Sequence, residues 1–317
     1  MKRHKGLTLV EMMVAMLLVL IVSAGALALV ARGRAAQRTG EAVARLEETT
    51  DAALAILVEE LRMAGYLGLA APGSPVAGTS PIGAAESPDL AVAGGCGLSL
   101  AHDLGTAVSA ADSAFGVTNS NPLRCSAGPQ GRVVAGADTL TLRHASADAT
   151  EADPGRLQLE TNLRTARLMA DGALHLGDSG RIHDLDVSVF YVSTDSTAQR
   201  GWPSLRRKRL VGGSRPAFQD EELVTGIEDL QVEIGLDATA DLDSAVDRWV
   251  TPTEVSAADA PRAVRLWVLA RSDLPEHPAV DQPALSYANR EEPRASFRYR
   301  RKLSSRIVEL RNLQGAP

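Results

Sequence analysis

The feature that most constrains the fold is an apolar segment near the N-terminus, MMVAMLLVLIVSAGALALVA, which runs from Met12 to Ala31 without a charged residue. A helix needs about 20 apolar residues to cross the hydrocarbon core of a bilayer, and this segment has that length. No later segment of the 317-residue chain is comparable. The sequence therefore predicts one membrane-spanning helix followed by a large soluble part.

Composition and charge argue for a folded chain without a nucleic-acid partner. Hydrophobic residues make up 45% and charged residues 23% of the sequence, which are ordinary values for a globular protein. Lys and Arg number 33 against 39 Asp and Glu, and the net charge of −6 argues against a chain-wide attraction to nucleic acid. A local basic patch stays open at this point.

The residues before the apolar segment do not form an ordinary secretory signal. Such a signal places a small-residue cleavage site after its apolar stretch. Ser23-Ala24-Gly25 would fit that site, but the apolar segment continues for six residues beyond it. The apparent processing point instead lies before the segment, between Gly6 and Leu7, directly after the basic start MKRHK.

Glu11 is the one carboxylate beside the apolar segment, and it has two interpretations. A charged side chain costs about 2.5–3.5 kcal/mol at the centre of a spanning helix and less near an end. Glu11 either reaches the membrane interface or meets a cation from another chain. A new amino terminus at Leu7 of a neighbouring subunit would supply that cation, and a low dielectric would strengthen the attraction.

The order of these features resembles the class III leader of type IV prepilins and pseudopilins. KGLTLVE combines a basic leader, a glycine and a glutamate at the fifth position after that glycine, and the apolar segment follows. The resemblance implies that prepilin peptidase cleaves between Gly6 and Leu7, that Leu7 is N-methylated and that Glu11 serves in assembly. Leu7 stands where Phe is more usual, which leaves the class unchanged.

A second helical segment follows the apolar one. Between Arg32 and Ala64 there is no proline, and apolar residues recur at steps of three and four, which predicts an amphipathic helix with one buried face. Gly65 is a suitable stop. The stretch from Ala42 to Gly68, which ends in EELRMAGYLG, resembles the PilW family of minor pilins. Later segments resemble the same family: GADTLTLRH (136–144), ELVTGIEDLQVEIGLD (222–237), VDRWVT (246–251) and AVRLWVLARS (263–272).

The middle of the chain is rich in Gly, Ala, Pro and Ser, which indicates loops. It contains two cysteines, Cys96 and Cys125, which we expect to form a disulfide because the bulk of the chain lies outside the cytoplasm on this interpretation. Two free thiols are the alternative. A zinc site is disfavoured because the spacing of 29 residues lacks the CxxC pattern.

From residue 138 onward, alternating and β-branched segments predict strands. They are DTLTLRH (138–144), RLQLET (156–161), GALHLG (172–177), DLDVSVFYVS (184–193), SLRRKRLV (204–211), LQVEIGL (230–236), AVRLWVLA (263–270) and FRYRRKLSSRIVELR (297–311). An antiparallel sheet that packs on the buried face of the second helical segment would unite these signals. We therefore predict an α+β fold, and the resemblance implies that it is of the type IV pilin-like kind.

Three further patterns concern binding and catalysis. Arg206-Arg207-Lys208-Arg209 would suit DNA or an acidic partner, but a solvated strand edge is favoured because the chain without residues 1–6 has a net charge of −9. Asp237, Asp241, Asp243 and Asp247 indicate an acidic turn or a calcium loop, although the glycine and terminal glutamate of an EF-hand are lacking. No HExxH, GxSxG or P-loop pattern occurs, so we expect no enzyme, cofactor or metal site.

These expectations define the organisation of the chain. The predicted segments are a leader (1–6), a transmembrane helix half (7–31), an amphipathic helix half (32–66), a loop region with the cysteine pair (67–135) and a β-rich domain (136–317). Cations flank both ends of the apolar segment, so counting positive charges does not decide the orientation. The leader resemblance implies a cytoplasmic N-terminus, a single pass through the inner membrane, a periplasmic globular domain and an extracellular pilus location after assembly.

The resemblance implies a minor type IV pilin, a structural subunit in the initiation and assembly of the pilus. Its implied partners are prepilin peptidase, other minor and major pilins, the inner-membrane assembly machinery and membrane lipid. The alternatives are a minor pseudopilin of type II secretion and, from a different class, a membrane-anchored enzyme or a DNA-uptake or adhesion subunit. The PilW-like segments favour the pilus, and the lack of catalytic motifs disfavours an enzyme.

Overall fold

The computed structural model describes residues 8–71, 73–82, 84, 87–93, 99–112, 132–237, 245–256, 259 and 261–313. It divides into two units, Met1–Arg45 and Leu46–Pro317. The first contains most of the apolar helix, and the second contains the remainder of that helix together with the sheets.

The chain folds into one long helix and a set of strands. The helix α1 spans Leu9–Met63. The strands are β1 (Val76–Ala77), β2 (Val108–Ala111), β3 (Thr139–Ala145), β4 (Gln158–Thr161), β5 (Ala166–Met169), β6 (Arg181–Ser193), β7 (Ser204–Val211), β8 (Ala217–Thr225), β9 (Ile227–Leu236), β10 (Arg248–Val250), β11 (Pro261–Arg271), β12 (Val280–Gln282), β13 (Leu285–Tyr287), β14 (Arg290–Glu292), β15 (Ala295–Phe297) and β16 (Arg301–Glu309). Short 3-10 helices lie at Pro88–Leu90, Gly177–Ser179, Pro252–Glu254 and Arg311–Leu313.

The end of α1 is fixed by a glycine and by contacts with distant residues. Gly65, predicted as the stop, has a φ of +80° and lies two residues beyond Met63. A Cβ at Gly65 would stand 2.5 Å from Cδ2 of Leu313, so the site also lacks space for a side chain. The amide of Gly65 donates to the carbonyl of Arg143 at 3.0 Å. The chain therefore leaves the helix in a conformation that favours glycine.

The larger sheet has the order β1-β5-β4-β6-β3-β2, and β7 pairs with both β6 and β8. All of its pairs are antiparallel except β1 with β5. The central strand β6 has 13 residues and pairs with β4 over residues 181–184, with β3 over 185–190 and with β7 over 188–193. A second, antiparallel sheet has the order β10-β9-β11-β16, and two-stranded sheets join β12 to β15 and β13 to β14.

Two hydrophobic clusters lie on opposite faces of the larger sheet. Along β6, Phe190 and Val192 belong to a cluster that contains the second half of α1 and the second sheet, whereas Val189 and Tyr191 belong to the other cluster. Alternate residues of a strand face opposite sides of the sheet, so β6 is buried on both faces. The second cluster includes Leu100 and its neighbours from the segment that was predicted as loop.

The predicted α+β class is confirmed: a long N-terminal apolar helix is joined to a domain rich in antiparallel strands. Two local predictions were wrong. Residues 172–176 of GALHLG form no strand, and a 3-10 helix begins at Gly177. The segment 204–211 does form a strand, but β7 lies inside the sheet between β6 and β8 and is not an edge.

Candidate functional site

The first turn of α1 is closed by a reciprocal pair of side chains. The backbone amide of Thr8 donates to Oε2 of Glu11 at 2.9 Å, and the hydroxyl of Thr8 donates to the same oxygen at 3.0 Å. In return, the amide of Glu11 donates to the Thr8 hydroxyl at 3.3 Å. This is a capping box, which satisfies amides that a helix leaves free at its start.

The sequence contains the signal for this capping box, a threonine and a glutamate three residues apart, which the charge of Glu11 alone does not reveal. Both donors of Thr8 engage Oε2, and Oε1 of Glu11 has no partner within the described part of the chain. The carboxylate therefore caps its own helix and keeps one oxygen for another group. The predicted processing residues Gly6 and Leu7 lie outside the described residues.

The apolar part of α1 presents its side chains to the surroundings on all sides. The large hydrophobic residues from Leu9 to Val30 are between 51% and 76% exposed. Residues near the start of the helix form a shallow apolar concavity of about 420 Å³, lined by Met12, Ala15, Met16, Val19 and Leu20. Within the described residues, α1 is the one helix long and apolar enough to span a membrane. Such a surface is stable only against lipid or other apolar helices.

The second half of α1 is buried in the second unit along one face. Its buried residues are Leu46, Thr50, Ala53, Leu54, Leu57 and Leu61, at the three- and four-residue steps predicted from the sequence. Ion pairs with β16 flank this face, because Lys302 lies 2.8 Å from Glu47 and Arg306 lies 3.3 Å from Asp51. The long helix is thus a buried core element over its second half.

Glu60 joins α1 to the larger sheet through three hydrogen bonds. Its Oε1 accepts from Nη1 of Arg207 at 2.7 Å, and its Oε2 lies 3.4 Å from both Nε2 of His144 and Oγ of Ser188. The Nδ1 of His144 faces the carbonyl of Ala145 at 2.9 Å. A carbonyl and a carboxylate can only accept, so both ring nitrogens donate when the imidazole is protonated.

The charges around Glu60 shift the pKa values of both partners. Burial works to raise the pKa of Glu60, but the hydrogen bond from His144 and the charges of His144, Arg207 and Arg209 lower it below the ordinary value overall. Burial likewise works to lower the pKa of His144. Hydrogen bonds to Glu60 and Ala145, with the charges of Asp186 and Glu60, raise it above the ordinary value. Both groups are therefore held in their charged forms.

The basic run on β7 is divided between the two faces of its sheet. Arg206 contacts Asp220 at 2.5 Å and Glu222 at 3.1 Å. Arg207 contacts Glu60 and Glu221, and Arg209 contacts Asp186 at 3.0 Å. Lys208 is 5% exposed, and burial lowers its pKa. The four cations therefore form no continuous basic surface, and the predicted solvated edge is replaced by a paired interior strand.

The remaining predicted sites involve residues that the structure does not describe. Asp237 pairs with Arg262 at 2.9 Å, whereas Asp241 and Asp243 lie outside the described residues, so the acidic turn and the calcium loop both stay predictions. Among the residues that are described, no group of His, Cys, Asp and Glu is arranged to hold a metal ion. Cys96 and Cys125 lie outside the described ranges, and their disulfide stays a prediction.

Two family models match this chain, one at its N-terminus and one in its C-terminal part. Residues 1–27 match the family model described as the prokaryotic N-terminal methylation motif, and residues 189–312 match the model described as Type IV Pilus-assembly protein W, or PilW. No curated protein sequence matches the chain. Among solved structures, a type IV-like pilin from Thermus thermophilus matches with a TM-score of 0.40 and 12% identity, over 85% of this chain and 98% of that one.

The two sequence matches define a type IV pilin-like protein with a prepilin-type N-terminus. Within that class the chain carries a PilW domain, which covers the strands from the second half of β6 to the end of β16. The resemblance stated from the leader and from the segments at 222–237, 246–251 and 263–272 is confirmed. EELRMAGYLG and the segment at 136–144 lie outside both matches. The PilW family is a family of structural, pilin-type proteins and not of enzymes.

Proposed function

We propose that the protein is a minor type IV pilin, a structural subunit that takes part in the initiation and assembly of the pilus. The observation that carries this proposal is the position of Glu11, whose carboxylate lies at the start of an exposed apolar helix, four residues after the predicted new N-terminus. The PilW and N-terminal methylation matches support the same assignment.

Processing comes first in the proposed sequence of events. Prepilin peptidase cleaves between Gly6 and Leu7, which removes Lys2, Arg3 and Lys5 and leaves an amine at Leu7 that is then N-methylated. The amide of Thr8 is still a peptide amide after this cleavage, so the capping box with Glu11 persists. The mature helix keeps its first turn while it gains a cationic terminus.

Assembly then pairs two subunits. The free Oε1 of Glu11 accepts a hydrogen bond from the methylated amine of Leu7 in a neighbouring pilin. In an apolar surrounding, water does not screen this attraction, so the pair defines the register of the packed helices. The exposed apolar surface of α1 exchanges lipid contacts for contacts with other helices at the same time.

Location and partners follow from the same mechanism. Before assembly α1 holds the protein in the inner membrane, with the leader in the cytoplasm and the second unit in the periplasm, and the protein reaches the extracellular pilus after assembly. Its partners are prepilin peptidase, other minor and major pilins, the inner-membrane assembly machinery and membrane lipid. The PilW match favours a pilus over a type II secretion pseudopilus.

The substitution Glu11→Gln tests the proposed role of this carboxylate in assembly. Glutamine accepts from Thr8 as glutamate does, so the capping box is retained and only the charge is lost. We expect at least about a tenfold loss of the protein from sheared filaments, because the ion pair is lost in a low dielectric, with unchanged membrane insertion. Glu41→Gln is the matched control on the exposed surface of the same helix and should assemble normally. Normal filament incorporation of Glu11→Gln would contradict the proposal.

We also propose that Cys96 and Cys125 form a disulfide in the exported domain. The protein should resist alkylation under denaturing conditions and take up two alkyl groups after reduction, as measured by intact mass. Two alkyl groups without reduction would show free thiols instead.

A further inference from the structure

Three arginines follow the apolar segment of α1, and we name Arg32, Arg34 and Arg38 the cationic collar. All three side chains are exposed. Within the described part of the chain, none of the three guanidinium groups has an ion-pair or hydrogen-bond partner. Two carboxylates further along α1 differ in this respect, because Glu47 pairs with Lys302 and Asp51 pairs with Arg306.

The collar stands out against the charge of the rest of the molecule. Residues 46–317 carry 26 Lys and Arg against 37 Asp and Glu, a net charge of −11. Residues 7–45 carry four arginines against two glutamates, a net charge of +2. Outside the leader, the net charge is therefore positive only over residues 7–45, where the apolar segment ends, and this excess of cations favours an anionic partner at that depth.

The helix geometry places the collar at the level of lipid phosphates. The 20 apolar residues span about 30 Å, the thickness of the hydrocarbon core, and each headgroup layer adds about 5–8 Å. Arg32 and Arg34 lie about 1.5 and 4.5 Å beyond the span, and Arg38 lies about 10 Å beyond it. Side chains of an α-helix lean toward its N-terminus, so all three stems lean back toward the bilayer.

We propose that the cationic collar binds the phosphates of anionic phospholipids, of the phosphatidylglycerol type, in the leaflet at the C-terminal end of the span. Guanidinium groups bind phosphate oxygens in a bidentate manner. A neighbouring copy of α1 is the less suitable partner, because three of the four carboxylates between Glu41 and Asp51 are engaged: Glu47 and Asp51 are paired, and Glu41 accepts from Gln37 at 3.1 Å. This proposal rests on membrane insertion and does not depend on pilus assembly.

The test compares two lipids with the same acyl chains. The full chain in detergent is titrated with phosphatidylglycerol or phosphatidylcholine, and bound lipid is counted by native mass spectrometry. All proteins carry K2Q/R3Q/K5Q, so that the leader contributes no side-chain charge at the other end of the span. The collar variant is R32Q/R34Q/R38Q. The matched control is R164Q/R167Q/R200Q, which removes three exposed arginines of the second unit.

We expect the parent protein to bind phosphatidylglycerol at least about tenfold more tightly than phosphatidylcholine at low salt. The preference should fall to about twofold or less in the collar variant and persist in the control. Equal binding of the two lipids by the parent, or a preference that survives in the collar variant, would overturn the proposal. The parent could also bind both lipids equally and form a dimer that is lost only in the collar variant. That result would assign the collar to a contact with a neighbouring helix and would also overturn the proposal.

Discussion

Glu60 and His144 give the contact between α1 and the larger sheet a defined pH dependence. The pKa of Glu60 is below 4.5, so its contribution to stability is present above that pH and is lost as the pH falls through the lowered value. The pKa of His144 is above 6.5, so its contribution is fully present below that pH and is lost as the pH rises through the raised value. The contact is therefore strongest between these limits.

The change Glu60→Gln tests this pair. We expect a loss of about 2 kcal/mol in the free energy of unfolding near pH 5.5, because Arg207 and the protonated His144 lose a half-buried counter-charge. The loss should shrink above the pKa of His144, where the imidazole is neutral. Denaturant unfolding of the detergent-solubilised protein between pH 5 and pH 9 measures the effect. A loss that does not vary with pH would contradict the assignment.

These two residues also show which part of the site could be predicted from the sequence. The assembly role of Glu11 could be predicted because the leader and the apolar segment lie beside it in the chain. His144 and Glu60 are separated by 84 residues, and their contact depends on how α1 lies across β3. No local pattern contains that information, so the sequence predicted a buried helix face but not the residues that face it.

The second half of α1 stabilises the second unit mainly through its buried face. Leu57 is fully buried in the cluster shared by α1 and both sheets. Leu57→Ala should lower the free energy of unfolding by about 2–5 kcal/mol, the cost of lost burial and a cavity. Leu163, which is 77% exposed, is the control, and its change to alanine should have little effect in the same denaturation experiment.

The C-terminal end of α1 is capped from the far end of the chain. The side-chain amide of Asn312 donates to the carbonyls of Arg62, Met63 and Ala64 at 3.0–3.3 Å. Asn312→Ala should cost about 1 kcal/mol in stability because the side-chain amide no longer donates to these carbonyls. Asn312→Asp should cost more, since a carboxylate would repel the carbonyls and the negative end of the helix dipole. Equal stability of the two variants in thermal unfolding would argue against the cap.

Strand β7 illustrates why element positions were harder to predict than element types. Its sequence, SLRRKRLV, indicated a strand, and its charge favoured an exposed edge. The carboxylates that pair with it lie on α1, β6 and β8, so the basic run is satisfied inside the sheet. Charge alone does not decide whether a strand lies at an edge, because opposite charges from other elements can make an interior position favourable.

The chain combines an exposed apolar segment with a well-packed domain. The α+β class could be predicted because helix and strand periodicities are local. The second hydrophobic cluster could not, because it is formed by the far face of the larger sheet and by residues such as Leu100 from a region without regular periodicity. A sheet buried on both faces is a property of the assembled fold.

The most direct test of the central proposal is the N-terminus of the protein itself. Membrane extracts from cells with and without prepilin peptidase would be examined by intact mass and N-terminal sequencing. The proposal predicts a mature chain that begins at methylated Leu7 only when the peptidase is present. An intact Met1 in both strains, or cleavage near Gly25, would contradict it and leave α1 as a plain anchor or an ordinary export signal.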